Sequence, residues 1–252
     1  MWKLYDDLYI GIPSGISIDS VTIGKVWTTV RANNNIGIAR TLALPGDPAG
    51  FARGYTGKYL RDTACHLRWD TPAAASVGVA ALNAWYNTAE RVKGLEGIKA
   101  AEPPDGKTAY VGMREGDAFP LPDGPDFDAA AYAGLAGYDN VVIASEALIT
   151  RALPKLLDIV GENGNVILDG YSLPASSLFF AFDMPIRELR GFYPRFIDTI
   201  EACALKDIVD PAPGAFPFCI RPIKLAKIHE TEEARVALNS PYKAAQFNNY
   251  FR

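Results

Sequence analysis

Apolar residues return at helical intervals along the opening of the chain. Leu4, Tyr5, Leu8, Tyr9 and Ile12 share one stripe, which predicts a helix over 2–12. Pro13, Ser14 and Gly15 stop it. The period then drops to two: Ile16, Ile18, Val21 and Ile23 alternate with polar neighbours, the mark of a strand over 16–23. Residues 25–32 are β-branched and aromatic, a second strand. Asn33, Asn34 and Asn35 form a turn, because Asn tolerates left-handed backbone. Residues 36–42 follow as a third strand, completing a meander.

Glycine and proline punctuate 45–54, which reads as a loop, and 58–67 as a short helix. Thr71 is a candidate N-cap, Pro72 fits the first helical position, and the alanine-rich run 73–88 is a helix. The first 92 residues therefore read as an α+β domain. A glycine- and proline-rich stretch, 93–107, reads as a linker. Beyond it, residues 108–113, 140–144 and 165–168 read as strands, with a further strand at 188–192. Helices are expected over 127–135 and 146–160. Short, continuously apolar strands separated by helices predict an α/β domain over 108–252, built on a mostly parallel sheet in three layers. Residues 211–222 carry four prolines and read as an extended connection. A helix is expected over 231–238, and 246–252 form a polar, aromatic C-terminal extension.

Composition narrows the function. Of 252 residues, 25 are basic and 29 acidic, a net charge of −4. This argues against nucleic acid, which draws on a concentrated basic surface, and against a polybasic membrane anchor. The opening residues lack the basic start and apolar run of a signal peptide. No uninterrupted apolar stretch is long enough to span a membrane. Three cysteines (Cys65, Cys203, Cys219) form no disulfide framework, which suggests a reducing, cytoplasmic setting. With His66 and His229 they are five scattered soft ligands, a poor basis for a closed zinc site.

Familiar motifs fail on their spacing. Gly57-Lys58 continues into Tyr59, and the glycine that a phosphate-binding loop needs is Ala52. Gly112 and Gly116 follow a strand, but the third dinucleotide-binding glycine is missing. Asp123, Asp126 and Asp128 lack calcium-loop spacing and read as a solvated loop, with Asp126 capping the next helix. Adjacent residues of a helix diverge by about 100°, so Cys65 and His66 read as one buried thiol and one half-exposed imidazole. Asp169-Gly170-Tyr171-Ser172 is not a nucleophile elbow.

Three polar groups stand out. Trp27, Thr28 and Thr29 lie on one strand, with Arg40 and Thr41 ending its neighbour. Asn83 and Asn87, four apart, share a helix face although asparagine is a poor helix former. Ser172, Ser176 and Ser177 follow a strand end, where parallel α/β sheets bind ligands.

At these residues the chain resembles the putative heavy-metal chelation family, whose members pair an enolase N-terminal-like domain with a Rossmann-like domain. The resemblance rests on the opening Met-Trp-Lys-Leu-Tyr-Asp-Asp-Leu, on the segments around Trp27-Thr28 and Arg40-Thr41, and on 78–87 with Asn83 and Asn87. It continues through 141–149, 168–179 and 189–192, covering about 1–210. It implies a dimer with a cleft between the domains, binding a metal or a metal-chelating small molecule. The implied lining is Trp27, Thr28, Arg40, Thr41, Asn83, Asn87, Glu146 and Ser172. The chain departs from the family in a proline-rich stretch after Met113 and in Glu146, where a small hydroxyl residue is more usual.

Three functions follow as expectations. The first is a protein that binds a small anionic molecule or metal chelate, with Arg40 pairing the anion and the two asparagines orienting it. Any metal would be held through oxygen and amide ligands or inside a small chelator. The second is an enzyme acting on a small anionic substrate, with Glu146 as its acid or base. The third is an interaction module built on the tail at Tyr250 and Phe251.

Overall fold

The computed structural model describes residues 2–68, 71–93, 105–113, 117–181, 184–211 and 213–222. The expected linker lies mostly outside these residues, as do the 231–238 helix, His229 and the aromatic tail.

The opening stripe forms helix α1 (Trp2–Ile10) and buries Leu4, Tyr5 and Leu8. The meander follows as β1 (Ile18–Ile23), β2 (Trp27–Ala32) and β3 (Asn35–Arg40), antiparallel in that order. Asn33 and Asn34 both adopt positive φ, as the two-residue turn between β2 and β3 requires. Short helices α2 (Pro48–Arg53) and α3 (Leu60–Ala64) lead through a 3₁₀ turn, Cys65–Arg68, to α4 (Pro72–Tyr86).

Alternation gives the three-stranded sheet two different faces. Val30 and Ala39 look towards α4, and a Cβ on Gly37 would collide with the α4 backbone at Ala80, Asn83 and Ala84. Glycine at 37 therefore sets how closely the helix lies on the sheet. Trp27, Ile36 and Ile38 form the opposite face. They pack against Ile200, Cys203 and Ala204 of a helix that arrives from the far end of the chain, α6 (Ile197–Leu205). Helix α4 is buried nearly all round, so its alanines fill a central layer rather than a surface.

The second sheet has five strands in chain order: β4 (Thr108–Val111), β5 (Asn140–Ala144), β6 (Asn165–Asp169), β7 (Ile186–Pro194) and β8 (Ala215–Ile220). β4 to β7 pair in parallel and β8 returns antiparallel. The molecule is thus a mixed α/β fold with one antiparallel and one mostly parallel sheet. Apolar side chains of both sheets, α1, α4 and α5 (Leu153–Val160) belong to one continuous buried cluster.

Several expectations are corrected. Residues 211–222 are not merely an extended connection, because β8 occupies half of them. Its Pro217 is tolerated because an edge strand need not donate every backbone hydrogen bond. The helix expected over 146–160 is broken. Ser145–Ala147 is a 3₁₀ turn, Arg151 turns left-handed at φ 62°, and α5 begins afresh with Pro154 in its first turn. Residues 129–137 are 3₁₀ rather than α, capped by Asp128 and not Asp126. The Thr71 hydroxyl makes no cap hydrogen bond. At positions 65 and 66 the burial is reversed. His66 is buried, its Nδ1 3.1 Å from the Tyr55 hydroxyl, and Cys65 is partly exposed with its thiol donating to the Asp62 carbonyl at 2.8 Å.

Candidate functional site

The carboxyl ends of β5 and β6 meet the end of β3. Arg40, Asn83, Asn87, Glu146 and Ser172 lie along that seam, but most of the side chains there are spent on the protein itself, and Ser176 instead caps the turn 177–180.

Asn87, the last residue of the α4 cap, donates through Nδ2 to the carbonyls of Leu173 and Phe192, both at 2.9 Å. Its Oδ1 accepts the Ala175 backbone N–H at 2.7 Å. Asn83, one turn earlier, donates to Ile38 O at 2.7 Å and to Tyr171 O at 3.3 Å. Asn83 Oδ1 is buried and has no hydrogen-bond partner among the described residues. The two amides therefore tie the central helix to β3 and to the loop after β6. Asparagine suits this helix because its short amide reaches carbonyls that no backbone donor can meet. The Thr28 and Thr41 hydroxyls pair with each other at 2.8 Å, both buried.

A hydrogen-bond relay crosses the seam. Arg40 N–H donates to Ser172 Oγ at 2.9 Å, and Ser172 N–H donates to Ser145 Oγ at 3.1 Å. Ser145 Oγ in turn donates to Glu146 Oε2 at 3.3 Å. Gly170 makes the relay fit. Its φ of 138° belongs to glycine, and a Cβ there would overlap Ser145 Oγ. The relay ends on a desolvated carboxyl. Burial lifts Glu146 above the usual carboxylate range and Asp169 adds to the rise, while its own backbone N–H, the Arg40 guanidinium and Ser145 oppose it. Burial raises Asp169 as well, against the pull of Arg190.

The Arg40 guanidinium is partly buried and lies 5.2 Å from the centre of the Trp27 ring. Among the described residues no carboxylate stands within ion-pair distance of it. Trp27 is fixed by donation from Nε1 to the carbonyls of Ile208 and Val209, at 2.9 and 3.2 Å. Tyr171 packs edge-on against Trp27 and stacks on Phe192 at 4.0 Å. An aromatic wall thus holds a cation that meets no carboxylate within ion-pair distance among the described residues, with Glu146 near enough to feel its charge. Nearby, a cavity of about 290 Å³ opens between Leu42 and Pro72 on one side and Leu121, Asp123, Thr150 and Arg151 on the other. Thr150 N–H donates to the Glu146 backbone carbonyl at 3.0 Å, so this part of the cavity wall lies one turn along the chain from Glu146.

Sequence reading missed Ser145, Asp169 and Gly170. The strand-ending Asp169-Gly170 pair carried the signal: a glycine directly after a buried strand marks a turn that only glycine makes. Another polar row lies on β7 and β8. Burial alone would raise the Glu188 carboxyl, but hydrogen bonds from Arg221 and Arg190 outweigh it and hold the group below its usual range.

Direct coordination of a metal does not fit these residues. No group of three or more His, Cys, Asp or Glu converges among the described residues. The nearest carboxyls, Glu146 and Asp169, are hard oxygen donors with arginines beside them.

No curated protein matches the chain. Among solved structures it is similar to a protein of unknown function from the DUF364 family of Desulfitobacterium hafniense. That likeness has a TM-score of 0.72 and 22% identity, covering 88% of this chain and 98% of that one. A second, from the DUF364 family of Pyrococcus horikoshii and also of unknown function, has a TM-score of 0.65 and 13% identity, covering 87% and 98%. These likenesses speak to the fold. No helix among the described residues is long and apolar enough to cross a membrane. Residues 5–86, from α1 through α4, match the family model described as "Putative heavy-metal chelation".

Proposed function

We propose that the protein binds a small anionic molecule, or a metal carried inside an anionic chelator, at the seam between its two sheets. The observation that carries this reading is Arg40: a partly buried guanidinium, oriented by Trp27, without an ion-pair partner among the described residues. A desolvated cation gains most from a carboxylate or phosphate that its planar fork can grip. A cavity of small-molecule size begins at Leu42, two residues along the chain from Arg40, and the family model's printed description agrees with a chelate as cargo. In this reading Asn83, Asn87, Thr28, Thr41 and Ser172 build and brace the site. Trp27 and Arg40 face the ligand.

The finer assignments belong to the same proposal. Residues 1–92 form an enolase N-terminal-like domain and 108–252 a Rossmann-like domain, joined by 93–107. The setting is cytoplasmic.

A second reading, an enzyme acting on a small anion, is favoured by Glu146 alone. A half-buried carboxyl with a raised pKa near an arginine is suited to general acid or base work.

The test is to purify the full chain without added metal and to analyse it by native mass spectrometry and elemental analysis. Titration with citrate and with its nickel complex follows. Binding of either probe, weakened at least about tenfold by Arg40→Ala, supports the proposal. No co-purified molecule and no binding of either probe would sink it. If a reaction is found, Glu146→Gln should abolish turnover and leave binding in place.

A further inference from the structure

We propose that a second copy of this chain pairs along the open edge of β1, joining two three-stranded sheets into one of six strands. The edge lies across the sheet from β3 and the Arg40 seam, so this inference does not depend on the binding proposal.

The start of β1 is closed. Ile18 donates to Lys58 O and accepts from Gly57 N, both at 2.9 Å. Beyond Ile18 a bulge shifts the register against β2. From there the pairing fixes which backbone groups face outward. Gly24 N–H donates to Trp27 O at 2.9 Å, so by alternation Thr22 and Ser20 also turn towards β2, and Val21 and Ile23 turn away. Among the described residues the outward N–H and C=O groups of Val21 and Ile23 meet no partner.

A groove of about 570 Å³ runs along this edge, with Ala49 and Ala52 of α2 on one wall and Leu205 of α6 on the other. Leu205 is 67% exposed, and Ile208 and Val209 extend the exposed apolar surface beyond it. Natural edges are blunted by proline or lysine, and residues 19–23 contain neither.

Charge selects the second copy as occupant and sets its register. Antiparallel pairing about a two-fold axis through Thr22 places Val21 opposite Ile23 of the other copy, and Ile23 opposite its Val21. All four outward backbone bonds are then made. The same axis brings Asp19, at one end of the edge, opposite Lys25 at the other, twice over. Both side chains are exposed; the Lys25 ammonium lies 3.7 Å from an Asp207 carboxylate oxygen, and the Lys25 backbone N–H donates to Asp207 Oδ1 at 2.7 Å. The edge is therefore complementary to itself, which is what an isologous contact requires.

Sedimentation equilibrium on the full chain tests this. The wild type is expected to be a dimer at tens of micromolar, on the order of weak edge contacts. Asp19→Lys and Lys25→Asp should each weaken association about fivefold, because two attractive pairs become repulsive. The double variant should restore it. Val21→Pro, which removes an outward donor, should give a monomer with an unchanged circular dichroism spectrum. A monomeric wild type would overturn the proposal and leave the edge to an extended segment of some other protein. So would a dimer that neither charge swap affects, and those swaps stay informative if the proline variant does not fold.

Discussion

The backbone N–H of Arg40 donates to the hydroxyl of Ser172 at 2.9 Å, across 132 residues of chain. This bond places the end of the first sheet against the turn that follows β6. With it the Arg40 guanidinium comes near Glu146, and the seam acquires a cation outside ion-pair distance of every described carboxylate and an acid whose pKa burial raises.

Asn87 is the strongest single brace of that seam. Its amide satisfies two carbonyls and one N–H of the loop and strand it faces. Asn87→Ala would leave these backbone groups without their partner in the interior. The expected loss is about 3 kcal/mol of stability, read from urea unfolding. A loss under about 0.5 kcal/mol would show that these groups find other partners.

Gly170→Ala adds one methyl group where the backbone is left-handed and Ser145 Oγ already occupies the space. It should cost about 2 to 4 kcal/mol. Breaking the relay should also free Glu146 from Ser145. Glu146→Gln, made in the same background, would then lose part of the effect it has in the wild type. A double-mutant cycle measures that coupling.

His66 predicts a pH dependence. Burial first, then the charge of Lys58, lowers its pKa from 6.5 to about 4. Between these values the unfolded chain holds a proton that the folded protein refuses, so stability falls as pH drops from about 6.5 to about 4. His66→Gln should remove up to about 3 kcal/mol of that fall. Melting curves of wild type and variant at pH 7 and pH 4.5 supply the difference. Equal pH slopes would contradict a buried neutral imidazole.

Glu146 carries the opposite sign. A carboxyl whose folded pKa is raised stabilises at low pH, and the contribution is lost as pH rises through that folded value. Glu146→Gln should therefore be more stable than wild type at pH 8, by about 1 kcal/mol, and show no such gain at pH 4. A variant less stable than wild type at pH 8 would mean that the carboxylate is paired more strongly than its setting suggests.

The meander, the central alanine helix and the parallel strands were legible because each carries a clean period or a continuous apolar run. The turn at Asn33 and Asn34 was legible because few residues accept positive φ. β8 was hidden by its proline, which disqualifies a central strand and not an edge one. The break between Ala147 and Leu153 was hidden because Arg151 in a left-handed conformation has no local signature; tertiary packing imposes it. Asn83 and Asn87 were conspicuous in sequence for a sound reason, since amides on a buried helix face must have partners. Sequence could not say that those partners are the protein's own carbonyls. Ser145 stayed invisible because its role depends on Gly170 and Ser172, which only the folded sheet brings beside it.

Calorimetric titration of citrate into the metal-free full chain, compared between wild type and Arg40→Ala, tests the central claim most directly. The account predicts a single saturable site in the wild type and affinity at least about tenfold weaker in the variant, with both melting at the same temperature. Equal affinity in the two proteins, or no binding of citrate or its nickel complex to either, would contradict it.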